Sequence, residues 1–361
     1  MTGADADRDA AASVDRAAAA SVDRDAAVIT LATRRAAGLF SLPERGIVEV
    51  AGEDRVRWLD GMLSNDVTKL APGPERSGCR ALALTRKGQI LADLRVWLRP
   101  AALWLETDAA AIRGLLEHLG KLVVADDVRL APVGPEIALF ALEGPAAQGV
   151  LERAAGRAVV LAAGAVAELE IAAAPVVAAA YGDTGETAFR LAAPAGAARR
   201  VALALAETGR PQGLVVGSGE AFEILRIEAG TPRFGAELGP DVLPAEARLE
   251  TAIAFDKGCY TGQEIVARVE SRGQVRRRLV GLRVRGESAP APGAPIEAGA
   301  LGVGEVTSGC VSPVCGAIGL GFVRVPHDAP GSELRVGSRP ARAVTLPFVR
   351  AGNAEGRRGH G

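Results

Sequence analysis

From about residue 35 onward, short apolar runs alternate with turn-forming clusters. The spacing inside each run separates strands from helices. "GIVEV" (46–50) alternates as a strand does, and Asp54 is placed to cap a helix whose Val56, Leu59 and Leu63 share one face. That helix runs out near "SNDV" (64–67). "RALAL" and "QILADLRVWL" read as strands around the turn "TRKGQ", and "LWLET" as a third. The pattern then predicts a helix over 109–119 stopped by Gly120, a strand at "EIALFALEG", and a helix with Pro145 in its first turn. Two strands follow within 166–181, then the turn "GDTGE", a strand "AFRLAAP" and a helix ending near Gly209. Ser218 can cap a helix that runs through Glu228 and is closed by Gly230. Such irregular alternation predicts an α+β fold with mixed sheets.

After residue 273 the character changes. "RRRLVGLRVRG" sets Val280, Leu282 and Val284 against Arg283 and Arg285, as in a half-buried strand. A Pro/Gly loop and more short strands follow, so 276–350 reads as a small antiparallel barrel or sandwich. Residues 1–34, with "ASVDR" written twice, read as a disordered leader, and 351–361 as a disordered tail. No periodic apolar face recurs in the leader, so a chain starting near Thr33 is expected to keep its melting temperature.

With 361 residues the chain suggests two or three domains. Its net charge of −1 gives no overall field to recruit nucleic acid or an anionic membrane, and neither partner is expected. Arg276, Arg277 and Arg278 alternate faces and form no single basic stripe. Four cysteines without C-x-x-C spacing and only three histidines suit a reducing cytoplasm and suggest no metal site. The longest apolar run, "IAAAPVVAAAY", is too short to span a bilayer.

One stretch carries chemistry of its own: "KGCYTGQE" (257–264). Thr261 and Glu264 match a capping box, with Tyr260 and Ile265 at the positions of a hydrophobic staple. Cys259 would then precede a helix N-terminus, with Lys257 nearby, and both favour a thiolate. The alternative is a small residue packed beneath the loop. Local sequence leaves the two open.

"RIEAGTPRFGAEL", "LPAEARL", "FDKGCYTGQEIVAR" and "VTSGCVSP", in that order, resemble the folate-binding family that contains the glycine-cleavage aminomethyltransferase (T-protein) and the YgfZ proteins. The resemblance covers about 35–350, and "KGCYTGQE" is the mark of the YgfZ branch. It implies two interleaved α+β domains over 35–273 and a C-terminal antiparallel β-barrel, arranged around a central cavity. It also implies tetrahydrofolate, or a related reduced folate, as ligand. A YgfZ-type role would be accessory: assembly or repair of iron–sulfur proteins, with client or assembly proteins as partners and a link to tRNA modification. A monomer is expected. The alternative is folate-dependent aminomethyl transfer. T-proteins usually carry Asp-Asp where this chain has Ala92 and Asp93, and alanine offers no charge to a transient cation. Whether the chain is an enzyme is therefore left open.

Six residues are the site candidates. Cys259 is the functional thiol, with Lys257 beside it. The resemblance gives Glu186, after "GDTG", the pteridine edge, where the alternative is a surface hairpin carboxylate. Asp93 faces the ligand or pairs with Arg95. Asn65 touches the ligand or, with Asp66, shapes a turn. Arg226 holds the folate tail or pairs with Glu223 or Glu228.

Overall fold

A computed structural model describes residues 25–273 and 275–351. The order begins with α1 (Ala26–Arg35), β1 (Ala37–Ser41), β2 (Arg45–Ala51), α2 (Arg55–Asp60), β3 (Gly78–Leu84), β4 (Ile90–Leu98) and β5 (Ala102–Asp108). It continues with α3 (Ala109–Gly120), β6 (Arg129–Pro132), β7 (Ile137–Glu143), α4 (Ala147–Ala155), β8 (Val166–Ile171), β9 (Ala174–Ala179) and β10 (Ala188–Pro194). Then come α5 (Ala198–Gly209), β11 (Leu214–Val216), α6 (Gly219–Ala229) and α7 (Gln263–Arg272). The last strands are β12 (Arg277–Val284), β13 (Pro295–Ala298), β14 (Leu301–Ser312), β15 (Gly316–Arg324), β16 (Glu333–Val336) and β17 (Arg339–Val344).

The chain lays down β1, builds a five-stranded sheet ordered β3-β4-β5-β2-β6, then returns to complete a six-stranded sheet ordered β11-β1-β7-β10-β9-β8. The two α+β units are thus interleaved. β12-β15-β14-β13-β16-β17 closes as a barrel, so the choice between barrel and sandwich is settled. Each sheet divides its side chains by the two-residue period of a strand. In β7, Phe140 and Leu142 meet helices α4 and α5, while Leu139 and Ala141 turn to a central core shared with α6 and the barrel.

Several local expectations hold. Ser218 Oγ accepts the Ala221 N–H at 3.3 Å, and Gly230, at φ 71°, ends α6. Others do not. Helix α4 starts at Ala147, so Pro145 stands just before it. Asp54 precedes α2 without capping it, because its carboxylate is engaged by Arg57 and the Asp127 N–H.

The leader boundary at residue 34 needs correction. Residues 26–35 form α1, Asp25 caps it, and Ile29, Thr30, Thr33 and Arg34 are buried. Its buried positions 26, 29, 30 and 33 have helical spacing, but only Ala26 and Ile29 among them are apolar, so the face does not read as an apolar one in the sequence. The repeats before residue 25 and the tail after residue 351 lie outside the described residues. Among the described residues no helix is long and apolar enough to cross a membrane.

Candidate functional site

Strand β4 sorts its residues onto two faces. Ala92, Leu94 and Val96 enter the core beneath α2 and α3, while Asp93 and Arg95 face a polar cavity of about 310 Å³. Ser41, Arg45, Asp108, Asp183, Phe222 and Arg226 are among its other walls. The position where T-proteins usually carry the first aspartate is therefore a core position here. The Ala92 methyl lies away from the cavity, and the carboxylate that reaches it is Asp93.

Asp93 is held as a fork. Arg80, on the neighbouring strand β3, donates from Nε and Nη2 to its two oxygens at 2.8 and 2.6 Å, and Arg95 adds a longer contact at 3.3 Å. The expected Arg95 pairing exists, but Arg80 is the principal partner. Burial works against an ionised Asp93, yet the two guanidiniums outweigh it and hold the carboxyl below its usual range.

Beside it lies a second layer of charge. Arg45 pairs with both oxygens of Glu106 at 2.6 and 2.8 Å and with Asp108 at 2.8 Å. Tyr181 donates to Glu106 at 2.6 Å, and Arg190 donates to Asp183 at 2.6 Å. Glu143 accepts from the backbone N–H groups of Asp183 and Thr184 and from the Thr184 hydroxyl, which fixes the "GDTG" turn. Burial, with the adjacent Asp183 charge, pushes Glu143 up, whereas the arginines around Asp183 overcome burial and hold that carboxyl well down. Sequence reasoning missed Arg34, Arg45, Arg80, Glu106, Glu143 and Arg190. A signal existed: a lone charge inside an apolar strand, as in "AFRLAAP" or "IALFALE", must meet a partner when buried.

The six candidates do not converge. Asp93 and Arg226 line the cavity; Asn65, Glu186, Lys257 and Cys259 do not. Arg226 is buried between Glu223 and Glu237 and also donates to Ser308 on the barrel at 2.9 Å. Glu228 takes a different arginine, Arg34, at 2.9 Å. Glu186 is no surface carboxylate: its side chain is buried and accepts from Arg34 at 2.8 Å. Asn65 does turn-forming work, donating to the Arg80 carbonyl at 2.7 Å and accepting the Asp66 N–H at 2.8 Å.

The "KGCYTGQE" loop is built differently from its capping-box reading. Helix α7 starts at Gln263 behind Gly262, whose φ of 88° and close approach to the Thr85 carbonyl exclude a side chain there. Thr261 makes no cap; its N–H bonds to the Gly61 carbonyl at 3.3 Å. Lys257 is a buried anchor: its Nζ donates to the carbonyls of Asp60, Leu63 and Asn65 and to Asp60 Oδ1, all within 3.0 Å. Those bonds commit the ammonium to the 60–65 segment. Tyr260 is buried on the other side. Cys259, between these anchors, is exposed, while Cys310 is buried and Cys79 and Cys315 are half-buried. Burial pushes the thiols of Cys79 and Cys310 up to about 12 and also raises that of Cys315.

Comparison with known proteins agrees with this architecture. Residues 18–257 match the GCVT N-terminal domain, and 277–350 match the glycine cleavage T-protein C-terminal barrel domain. The aminomethyltransferase of Streptomyces avermitilis is 32% identical over 343 residues, covering 89% of this chain and 88% of its own. That of Rubrobacter xylanophilus is 33% identical over 325 residues, covering 88% and 85%. The crystal structure of glycine cleavage system aminomethyltransferase T from Bartonella henselae superposes with a TM-score of 0.78 at 26% identity, covering 90% of each chain. With both domain models matched in order and the interleaved sheets and closed barrel in place, the chain belongs to the glycine-cleavage T-protein family.

Proposed function

We propose that this protein binds a reduced folate in the polar cavity and acts, through Cys259, as a YgfZ-type accessory factor for iron–sulfur proteins, with a link to tRNA modification. The observation that carries the reading is the exposed Cys259 thiol, held outward between the buried anchors Lys257 and Tyr260. A loop strapped down on both sides of an accessible thiol suits contact with another protein or a reactive ligand better than packing does. The cavity suits a folate in its chemistry: Asp93 and Asp183 offer acceptors inside, and Arg233, 46% exposed on its side chain, offers a cation at the rim. Glu186 is assigned the pteridine edge by family resemblance, and it would have to share its carboxylate with Arg34.

Aminomethyl transfer is the second reading. The relatives' names favour it, and so does Asp93, a cavity-facing carboxylate kept ionised by Arg80. Two experiments separate them. A glycine cleavage assay with lipoylated carrier protein and tetrahydrofolate should be silent for an accessory factor and active for a transferase. A strain deleted for the protein should lose iron–sulfur enzyme activity and regain it with the wild-type chain but not with Cys259→Ser. Full rescue by a folded Cys259→Ser protein would overturn the thiol role. Calorimetry with tetrahydrofolate tests the ligand separately. Asp93→Asn, on the cavity wall, should weaken binding, and Glu186→Ala, outside the wall and paired with Arg34, tests whether the ligand reaches the carboxylate that the family resemblance assigns.

A further inference from the structure

The arginines at the start of β12 are spent on structure. Arg277 packs over the Phe322 ring and faces Glu246 at 3.4 Å, and Arg278 pairs with Asp328 at 3.3 Å. A different set, further along the barrel, is left facing solvent. Arg283, Arg285, Arg335 and Arg342 line one open groove of about 630 Å³ across β12, β17 and β16. Register places them in two rows. Arg283 stands directly opposite Arg342, and Arg342 opposite Glu333. Arg285 follows directly after the end of β12, and Arg335, two residues along β16 from Glu333, stands opposite Glu297 of β13.

Like charges directly opposite each other on a sheet destabilise it. Arg45, Arg95 and Arg226 on the cavity wall each have a carboxylate partner within 3.3 Å, and Arg233 at its rim has Glu223 at 3.7 Å. In this groove, no carboxylate among the described residues lies within 4.0 Å of the guanidinium nitrogens of Arg283, Arg285 or Arg335, and Arg342 has only Glu333 at 3.9 Å. Register sets Arg342 opposite Glu333 and Arg335 opposite Glu297, but neither carboxylate closes to a tight ion pair. The groove therefore keeps an excess of loosely compensated positive charge on a chain whose net charge is −1.

We infer that this groove docks the phosphate backbone of a nucleic-acid duplex. Guanidinium forks match phosphate oxygens in pairs, and a duplex carries a charge about every 1.7 Å of its axis, so several arginines are met at once. No aromatic side chain lines the groove, which disfavours a single strand read by base stacking. An acidic peptide would gain most by adding a strand to a sheet edge, but the barrel is closed and offers none. The contact would be independent of sequence, because nothing in the groove is shaped to read base edges.

Fluorescence anisotropy of the full chain with a labelled RNA duplex, and with a DNA duplex of the same sequence, tests this. Binding at low salt should weaken on a log–log salt plot with a slope of about −3 to −4, as expected for about four phosphate contacts. The double variant Arg283→Gln/Arg342→Gln should lose about tenfold or more in affinity and flatten the slope by about 2. Its melting temperature should hold or rise, because an opposed like-charge pair is removed. Arg199→Gln, an exposed arginine on α5, should change neither. Preference for one duplex identifies the source of the phosphates. Absence of binding at low salt, equal losses in Arg199→Gln, or displacement of the duplex by an equal charge of polyglutamate would overturn the proposal.

Discussion

Arg34 Nη2 donates to Glu228 Oε2 at 2.9 Å across 194 residues of sequence, and both side chains are buried. The pair ties α1 to α6, and it does more. Arg34 Nη1 reaches Glu186 and the Thr184 carbonyl, while the other oxygen of Glu228 accepts from Ser312 of the barrel at 2.6 Å. One guanidinium therefore links the N-terminal helix, the "GDTGE" turn and, through Glu228, the C-terminal barrel.

Breaking that link should be costly. Arg34→Met leaves two buried carboxylates without their cation, and the expected loss is about 3–5 kcal/mol in urea unfolding. Removing residues 1–24 should leave the midpoint unchanged, whereas starting the chain at Ala36 should lower it, because Ile29 and Arg34 go together. Equal midpoints for the two truncations would show that α1 contributes nothing.

Lys257 is expected to matter for the loop's foundation. Its ammonium satisfies three carbonyls and a carboxylate in the 60–65 segment. Lys257→Met strands those acceptors and should cost about 2–4 kcal/mol, read by thermal or urea denaturation. A change within about 0.5 kcal/mol would mean that water replaces the ammonium freely.

The four cysteines should separate in alkylation. At pH 7 roughly one thiol in 10⁵ is ionised when burial sets its pKa at about 12, as for Cys79 and Cys310. Mass spectrometry after brief iodoacetamide treatment should find Cys259 modified first and those two modified only after denaturation. Simultaneous labelling in the folded protein would contradict the burial that raises them.

Acid should weaken the fold in part through Glu106. Burial alone would raise this carboxyl, but Arg45 on both its oxygens holds it below its ordinary range. A folded pKa below the unfolded value of about 4.3 gives stability that is complete above that value and lost as pH falls through the folded one. Glu106→Gln should cost about 3 kcal/mol at pH 7 and flatten the acid limb of the stability profile. Asp108 has the opposite sign, since burial raises it despite Arg45. Its contribution is complete below about 3.9 and lost as pH rises through its folded value, so Asp108→Asn should cost less at pH 7.

Local periodicity by itself determined most element types, α1 excepted, along with the hairpins of the first sheet, the Ser218 cap and Gly230 stop of α6, and the change to short strands after residue 273. These depend on side chains within a few positions of one another, where backbone propensity and the period of burial act directly. Family motifs supplied the interleaving and the barrel. Partner choice was beyond both. The two faces of β4 were implicit in its alternation, but which face meets the cavity depends on α2 and α3 packing against Ala92, Leu94 and Val96. Arg226 lies one helical turn from Glu223 but only two residues from Glu228, on nearly the opposite face, so helix geometry favours Glu223. What no local pattern supplies is Arg34, from 194 residues away, as the partner that takes Glu228. Lys257 looked like a neighbour for Cys259 because only Gly258 separates them; the carbonyls of Asp60, Leu63 and Asn65 claim its ammonium. Charge pairing is settled by whatever the tertiary fold brings within about 3 Å, where a buried ion must be matched.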